Sequence, residues 1–483
     1  MTTRSSHSQS EQRPRRRRNT ETENAGDAAV SMYQSREKIY PREISGRFQS
    51  LRKFAVFALL GLYYLLPWVQ WNGRQAVLFD LHARQFHLFG ITLWPQDFFY
   101  LALLLIICAL GLFFVTAIAG RVWCGYACPQ TVWTEVFLWM ERWCEGDRPK
   151  RMKLDRGPWT GEKIARKGSK HVLWVVFALW TGFTFVAFFT PARELAARTV
   201  TLDLGGWETF WMLFYGFATW GNAGFLREQV CLYMCPYARF QSAMFDRDTM
   251  IISYDDSRGE PRGPRSRSVD PRAKGLGDCI DCTLCVQVCP TGIDIRKGLQ
   301  YECIACGACV DACDHVMDRM EYPRGLIRYT TENAMEERAT RVLRPRTIIY
   351  GALLTALAVA LVSGLLLRTP LRLDIIPDRN ALYRMTDTGA IENVYRLSVM
   401  NMDQAKHTYR FETSGLPGLT IDANAGEKVT LEPGETRNVP VRIRTSPESV
   451  RPGGNDIQVT VRSTGDPDLV VTEPTRFHAP IGR

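Results

Sequence analysis

Cys279-Ile280-Asp281-Cys282-Thr283-Leu284-Cys285-Val286-Gln287-Val288-Cys289-Pro290 is followed, thirteen residues later, by Cys303-Ile304-Ala305-Cys306-Gly307-Ala308-Cys309-Val310-Asp311-Ala312-Cys313-Asp314. Each run is spaced C-x2-C-x2-C-x3-C. Cysteines separated by two residues can curl around one corner of an iron-sulfur cube, and the longer last spacer carries the fourth to a neighbouring cube. The spacing therefore predicts crossed ligation. Cys279, Cys282, Cys285 and Cys313 would hold one 4Fe-4S cluster, and Cys303, Cys306, Cys309 and Cys289 a second. Zinc ribbons present separated CxxC pairs and disulfide scaffolds have looser spacings, so both fit poorly.

A chain of 483 residues has room for more than this segment. Of its 14 cysteines, none follows Cys313, and six lie ahead of the double run: Cys108, Cys124, Cys128, Cys144, Cys231 and Cys235. Thiolate-ligated clusters need a reducing compartment, whereas a cysteine-free last third can sit in an oxidising one. The net charge of +10 would suit nucleic acid in a soluble protein, but no nucleic-acid motif accompanies it. About fifty hydrophilic residues open the chain, with the block Arg15 to Arg18 and no early apolar core. They predict a disordered cytoplasmic tail rather than a cleaved signal peptide.

Five apolar stretches approach the length that crosses a bilayer: Phe54 to Trp71, Phe98 to Ala119, Val172 to Thr190, Thr209 to Leu226 and Thr347 to Leu367. The fourth is the weakest, with Asn222 inside it and Glu208 at its start. Residues 120 to 171 hold eleven Lys plus Arg, against two each in 72 to 97 and 191 to 206. Basic loops stay in the cytoplasm, so the N-terminus and both cysteine runs are expected there, in a multi-pass bacterial inner-membrane protein. Residues 368 to 483 then emerge in the periplasm. Alternation at Tyr395, Leu397, Val399, at His407, Tyr409, Phe411, at Val439, Val441, Ile443 and at Ile457, Val459, Val461 predicts an all-β, immunoglobulin-like sandwich. The expected division is a tail at 1-52, a four-helix membrane region at 53-250, a ferredoxin-like domain at 251-346, a fifth membrane helix at 347-367 and the β domain at 368-483.

Two matching hexapeptides, Cys124-Gly125-Tyr126-Ala127-Cys128-Pro129 and Cys231-Leu232-Tyr233-Met234-Cys235-Pro236, follow the second and fourth stretches. If the backbone is helical through each pair, the cysteines share a face. If instead each proline opens a new helix, Cys128 and Cys235 sit at helix N-termini, where a thiolate is favoured. Soft thiolates, with the Met234 thioether, select Cu(I), zinc or iron-sulfur iron. Inert buried cysteines are the bland alternative, weakened by the repeat. Cys108 reads as packing and Cys144 as either. His171 is the one histidine near a crossing, which argues against a bis-histidine haem; His82 and His87 read as exposed loop residues, and Glu208 as a solvated carboxylate. Arginines 258, 262, 265, 267 and 272 read as a patch drawn to anionic lipid.

From about Tyr33 onward the chain resembles the CcoG/FixG/RdxA accessory proteins for assembly of cbb-type cytochrome c oxidase. The resemblance rests on Trp123 to Gln130, Cys231 to Pro236, the two ferredoxin runs, and Tyr322-Pro323-Arg324-Gly325-Leu326-Ile327-Arg328-Tyr329. It implies a membrane polyferredoxin that reduces Cu(II) to Cu(I) for the oxidase's copper centre, with Cys124, Cys128, Cys231 and Cys235 as the copper-handling, catalytic cysteines. Implied partners are copper chaperones or a copper transporter, oxidase assembly factors, an unidentified electron donor and a second copy of the chain. Cys313-Asp314 departs from the usual Cys-Pro. The competing expectations are an electron relay from the quinone pool or a cytoplasmic donor to a partner reductase, as in membrane ferredoxins of nitrate or nitrous oxide reduction, and a non-enzymatic assembly scaffold or redox sensor.

Overall fold

The computed structural model describes residues 38–267, 274–378, 382–423 and 428–480. Residues 1–37, including Arg15 to Arg18, and Arg272 lie outside the described residues. Among those described, four helices are long and apolar enough to cross a membrane: Arg47–Trp68, Pro95–Ala119, Gly161–Val186 and Pro345–Leu366. The stretch expected as the fourth crossing is an α-helix only over Gly206–Thr219, and it continues as π-helix through Trp220–Leu226. Such wide turns cluster at functional sites. This helix packs along Gly161–Val186, closely enough that a Cβ on Gly182 would lie 2.1 Å from the Met212 carbonyl oxygen.

Residues 38–52, assigned to the hydrophilic tail from sequence, are instead packed structure. Arg42 donates its backbone N–H to the Gln287 carbonyl, and the first membrane helix already starts at Arg47. That helix has no capping side chain of its own. Asp311, 263 residues along the chain, supplies the cap: its carboxylate accepts from the N–H groups of Phe48 at 3.2 Å and Gln49 at 2.8 Å. Gly46 makes room for it, because a Cβ there would fall 2.2 Å from the Asp311 carboxyl carbon.

The two cysteine runs lie at the end of the membrane helices where Arg47–Leu65 begins. Strand Ile251–Tyr254 pairs antiparallel with Ile327–Thr330 and brackets them. Between the strands a core of Ile252, Ile295, Val310, Met317, Leu326 and Ile327 packs against the cysteine loops. Two arginines of the patch assigned to lipid are half-buried and engaged, Arg258 with Asp278 at 2.5 Å and Arg265 with the Tyr322 hydroxyl at 3.1 Å, while Arg267 stays exposed in its pair with Glu321. Asp278 stands beside the first run and Glu321 and Tyr322 follow the second, so none is a sequence neighbour of its arginine.

At the opposite end lie a hairpin sheet, Val77–Asp80, Gln85–Leu88 and Ile91–Leu93, and the C-terminal β region. The latter has two antiparallel sheets. One centres on Ile391–Asn401 and Thr436–Thr445, the other on His407–Ser414 and Gly453–Ser463. Tyr395, Leu397, Val399, Tyr409, Val441, Ile443, Val459 and Val461 from both sheets fill one buried core, as their alternation predicts. Arg368 anchors this region to the membrane helices, pairing with Asp97 at 2.6 Å, and Trp94 buries itself against Met400 and Met402.

Candidate redox and metal site

Backbone geometry repeats between the two cysteine runs. Asp281 and Ala305, two residues after the first cysteine, have φ of 54° and 50°; Thr283 and Gly307, one residue after the second, have 56° and 75°. The left-handed residues curl each loop, and the third cysteine enters a helix at its first turn, Leu284–Gln287 or Ala308–Met320. Cys279, Cys282, Cys285 and Cys313 line one concavity, with Cys285 shared toward a second that is lined by Cys289, Cys303, Cys306 and Cys309. The fourth cysteine of each run thus stands beside the first three of the other.

All fourteen cysteines are free thiols. Burial pushes the Cys285, Cys303 and Cys313 thiols up to about 12 and raises Cys309 well above its ordinary value, with neighbouring thiols adding to the shift of Cys313 and Cys309. Eight thiols gathered in two groups of four, buried or half-buried but for the exposed Cys282, suit a polynuclear cluster that takes them as thiolates. Among the described residues no three His, Cys, Asp or Glu side chains converge around a point as a single metal ion needs.

The hexapeptides adopt the second of the two geometries open from sequence. Cys128 and Cys235 are N-caps in extended conformation, and Pro129 and Pro236 open the helices Pro129–Glu145 and Pro236–Met244. Cys124 lies in the short helix Val122–Tyr126 and Cys231 in the π-helical turn Val230–Met234. The two pairs face each other: Cys231 feels Cys128, Cys124 and Cys235, and Cys128 feels Cys235. At Cys128 the helix N-terminus does not win the electrostatic contest. Burial raises the Cys128 thiol against the backbone N–H groups of Gln130 and Thr131, and Cys231 rises to about 12. Cys124 donates from Sγ to Gln241 Oε1 at 3.2 Å, an oxygen that also accepts from Arg121 Nε at 3.0 Å.

This thiol group abuts the second cysteine run. Cys124 packs with Cys306, Ile304 and Ala308. A Cβ on Gly125 would stand 2.7 Å from the Ile304 carbonyl oxygen and 2.9 Å from Cys306 Cα, so only glycine lets the two loops touch. Tyr126 donates its hydroxyl to the Cys306 carbonyl at 3.3 Å.

The fully buried Arg52, paired with Glu135 at 2.8 Å, faces Cys306 and Cys289 from the first membrane helix. Farther out, Arg227 precedes Cys231 and donates to Glu141 at 3.0 Å; Glu141 also binds Arg151 at 3.1 Å. Sequence reasoning passed over Arg52, Gln241 and Glu141, whose only signal was a charged or amide group inside an otherwise apolar stretch. Of the weaker sequence candidates, Cys108 is exposed on a membrane helix and Cys144 is half-buried. His171 stacks on Phe225, and His87 Nδ1 lies 2.9 Å from Thr92 Oγ1. Glu208 is a cap rather than a solvated carboxylate: it accepts from the Gly205 N–H at 2.8 Å and pairs with Arg198.

Residues 226–332 match the model of a 4Fe-4S dicluster domain, residues 101–151 that of a 4Fe-4S binding domain, and residues 361–480 the immunoglobulin-like fold at the C-terminus of FixG. Protein RdxA of Cereibacter sphaeroides is 42% identical over 458 residues, 90% of this chain and 96% of RdxA. The chain belongs to the FixG/RdxA/RdxB family. Nitrogen fixation protein FixG of Rhizobium meliloti is 37% identical over 475 residues, 90% of this chain and 89% of FixG. RdxB of C. sphaeroides is 42% identical over 429 residues, 86% of this chain and 90% of RdxB. A crystal structure of a FixG-related protein from Vibrio parahaemolyticus aligns with 23% of this chain and 95% of its own, at 26% identity and a TM-score of 0.21. As a family member the chain is a membrane protein with several apolar helices, iron-sulfur domains with capacity for two 4Fe-4S clusters, and a β-rich, immunoglobulin-like C-terminal region.

Proposed function

We propose that this protein reduces Cu(II) to Cu(I) for the copper centre of a cbb-type oxidase. The single observation that carries the reading is the seating of Gly125, between Cys124 and Cys128, directly on the loop of Cys303 and Cys306. Cys279, Cys282, Cys285 and Cys313 would hold one 4Fe-4S cluster and Cys303, Cys306, Cys309 and Cys289 the other; when bound, these supply electrons one at a time, the unit by which Cu(II) becomes Cu(I). The exposed Cys282 marks the side open to a donor, and Cys306 the side turned to the hexapeptide thiols.

Cys124, Cys128, Cys231 and Cys235 offer soft ligands that retain Cu(I) in preference to Cu(II). Two thiolates suffice for Cu(I), which suits a group whose members face one another without converging as a mononuclear cage. Gln241 takes the Cys124 thiol proton's hydrogen bond, orienting Sγ, and Arg121 holds Gln241. Release to a chaperone needs competing thiolates. The lysine and arginine asymmetry and the cysteine-free C-terminal third support a cytoplasmic location for the cysteine runs and a periplasmic one for the β region.

The test is anaerobic reduction of the purified protein followed by Cu(II). Wild type should form Cu(I) in step with reoxidation, and Cys124→Ala and Cys231→Ala should each lose that activity at unchanged iron content. The 101–151 match to a 4Fe-4S binding domain favours a second reading, in which the hexapeptide thiols hold iron. Iron above about eight atoms per chain, falling in both variants, would establish it and remove copper from the site.

A further inference from the structure

A cleft of about 670 Å³ has no part in the redox reading. It lies under the start of the first membrane helix, between residues 42–45, the end of helix Pro129–Glu145 and the start of helix Arg148–Arg156, with Gln287 of the first cysteine run as its floor. Five cationic side chains line it, Arg42, Lys53, Arg142, Arg148 and Lys150, against the carboxylates of Glu43 and Asp147. Glu43 is shared by Lys53 at 3.7 Å and Arg142 at 3.5 Å. Arg148 has neutral partners, the Tyr40 carbonyl at 2.9 Å and Gln287 Oε1 at 3.3 Å. Among the described residues Arg42 and Lys150 have no carboxylate partner.

Where the cleft opens decides what fills it. Phe57, four residues after Lys53 and so on the same helix face, lies 5.5 Å from the ring of Trp139, which stands three residues before Arg142 and four before Trp143 on its own helix. Phe54, Phe57 and Trp143 are exposed, Trp143 by 82%. Cations therefore meet an apolar, aromatic belt at one rim, the level at which phospholipid headgroups lie. We infer that this cleft binds the phosphate headgroup of an anionic phospholipid, with the acyl chains running along Phe54, Phe57 and Trp143.

Brominated lipids quench tryptophan on contact, and subtracting the signal of Trp143→Phe isolates the residue at the rim. The full-length protein in detergent is titrated with brominated phosphatidylglycerol or brominated phosphatidylcholine. Phosphatidylglycerol should quench Trp143 at lower mole fraction, and Arg42→Gln with Lys150→Gln should weaken that preference about five-fold for each charge removed. Arg42→Lys with Lys150→Arg should restore it, and unchanged iron content and melting temperature establish that the variants are folded. Equal quenching by both lipids, or a preference untouched by the double neutralisation, overturns the inference. Displacement of the lipid by inorganic phosphate, but not by chloride at equal ionic strength, assigns the cleft to a soluble phosphate and also overturns it.

Discussion

Gly125 shows how much can rest on one missing methyl group. An alanine there must push the Ile304 and Ala305 carbonyls away, and misplacement on this scale costs about tenfold to a hundredfold in a reaction step. Gly125→Ala is therefore expected to slow the proposed Cu(II) reduction by that factor while visible absorption and iron content stay unchanged. Glu141 illustrates a different single-residue effect. Burial alone would raise its carboxyl, yet Arg227, Lys38, Arg151 and Lys170 outweigh burial and hold it down at about 2, below the ordinary 4.5. A depressed carboxyl stabilises fully above the unfolded value, and the contribution drains away as pH falls from about 4.5 toward 2. Glu141→Gln should cost about 3–5 kcal/mol at neutral pH, and its melting temperature should converge on that of wild type through that acid window. The cysteines were legible in the sequence because ligation dictates both residue type and spacing. Gln241 was not, since its partners Arg121 and Cys124 stand over a hundred residues upstream.

Whole elements divide by length. The apolar runs at Phe98 to Ala119 and Thr347 to Leu367 became helices within two residues of their expected limits, because no charged residue interrupts them. The run from Thr209 did not stay α-helical, and its change to π-type turns begins just ahead of Asn222, whose carbonyl accepts from Gln130 Nε2 at 3.0 Å and from the Arg227 N–H at 2.7 Å. In the β region the long strands were legible from alternation, whereas Thr420–Ala423 and Lys428–Leu431, four residues each, are too short to carry a period. Leu397, fully buried between the sheets, should cost about 2–5 kcal/mol as alanine. Calorimetry is expected to show this loss in a transition that leaves cluster absorption intact. At the other end, Asp311→Ala removes the cap of the first membrane helix, with an expected loss of about 1 kcal/mol, read as earlier exchange of the Phe48 and Gln49 amides.

For the molecule as a whole, sidedness is what the lysine and arginine asymmetry predicts and what distances alone do not supply. No native cysteine follows Cys313, so a cysteine placed at the exposed Asp468 is a clean probe of the far side. Asp468→Cys should react with a membrane-impermeant maleimide in intact cells, and Leu299→Cys, in the exposed loop between the two runs, only after lysis. What the sequence did not reveal is how firmly the two ends are joined to the helices, through Arg368 and Asp97 on one side and Asp311 on the other. That last bond carries a temporal consequence. The first helix starts more than two hundred and fifty residues before the carboxylate that caps it, and Asp311 lies between Cys309 and Cys313, two of the thiols proposed to hold iron. On that proposal maturation would run backwards along the chain: iron delivered to a late segment would finish the seating of the earliest one, and protease cleavage at residues 38–46 would time how far a newborn molecule has come.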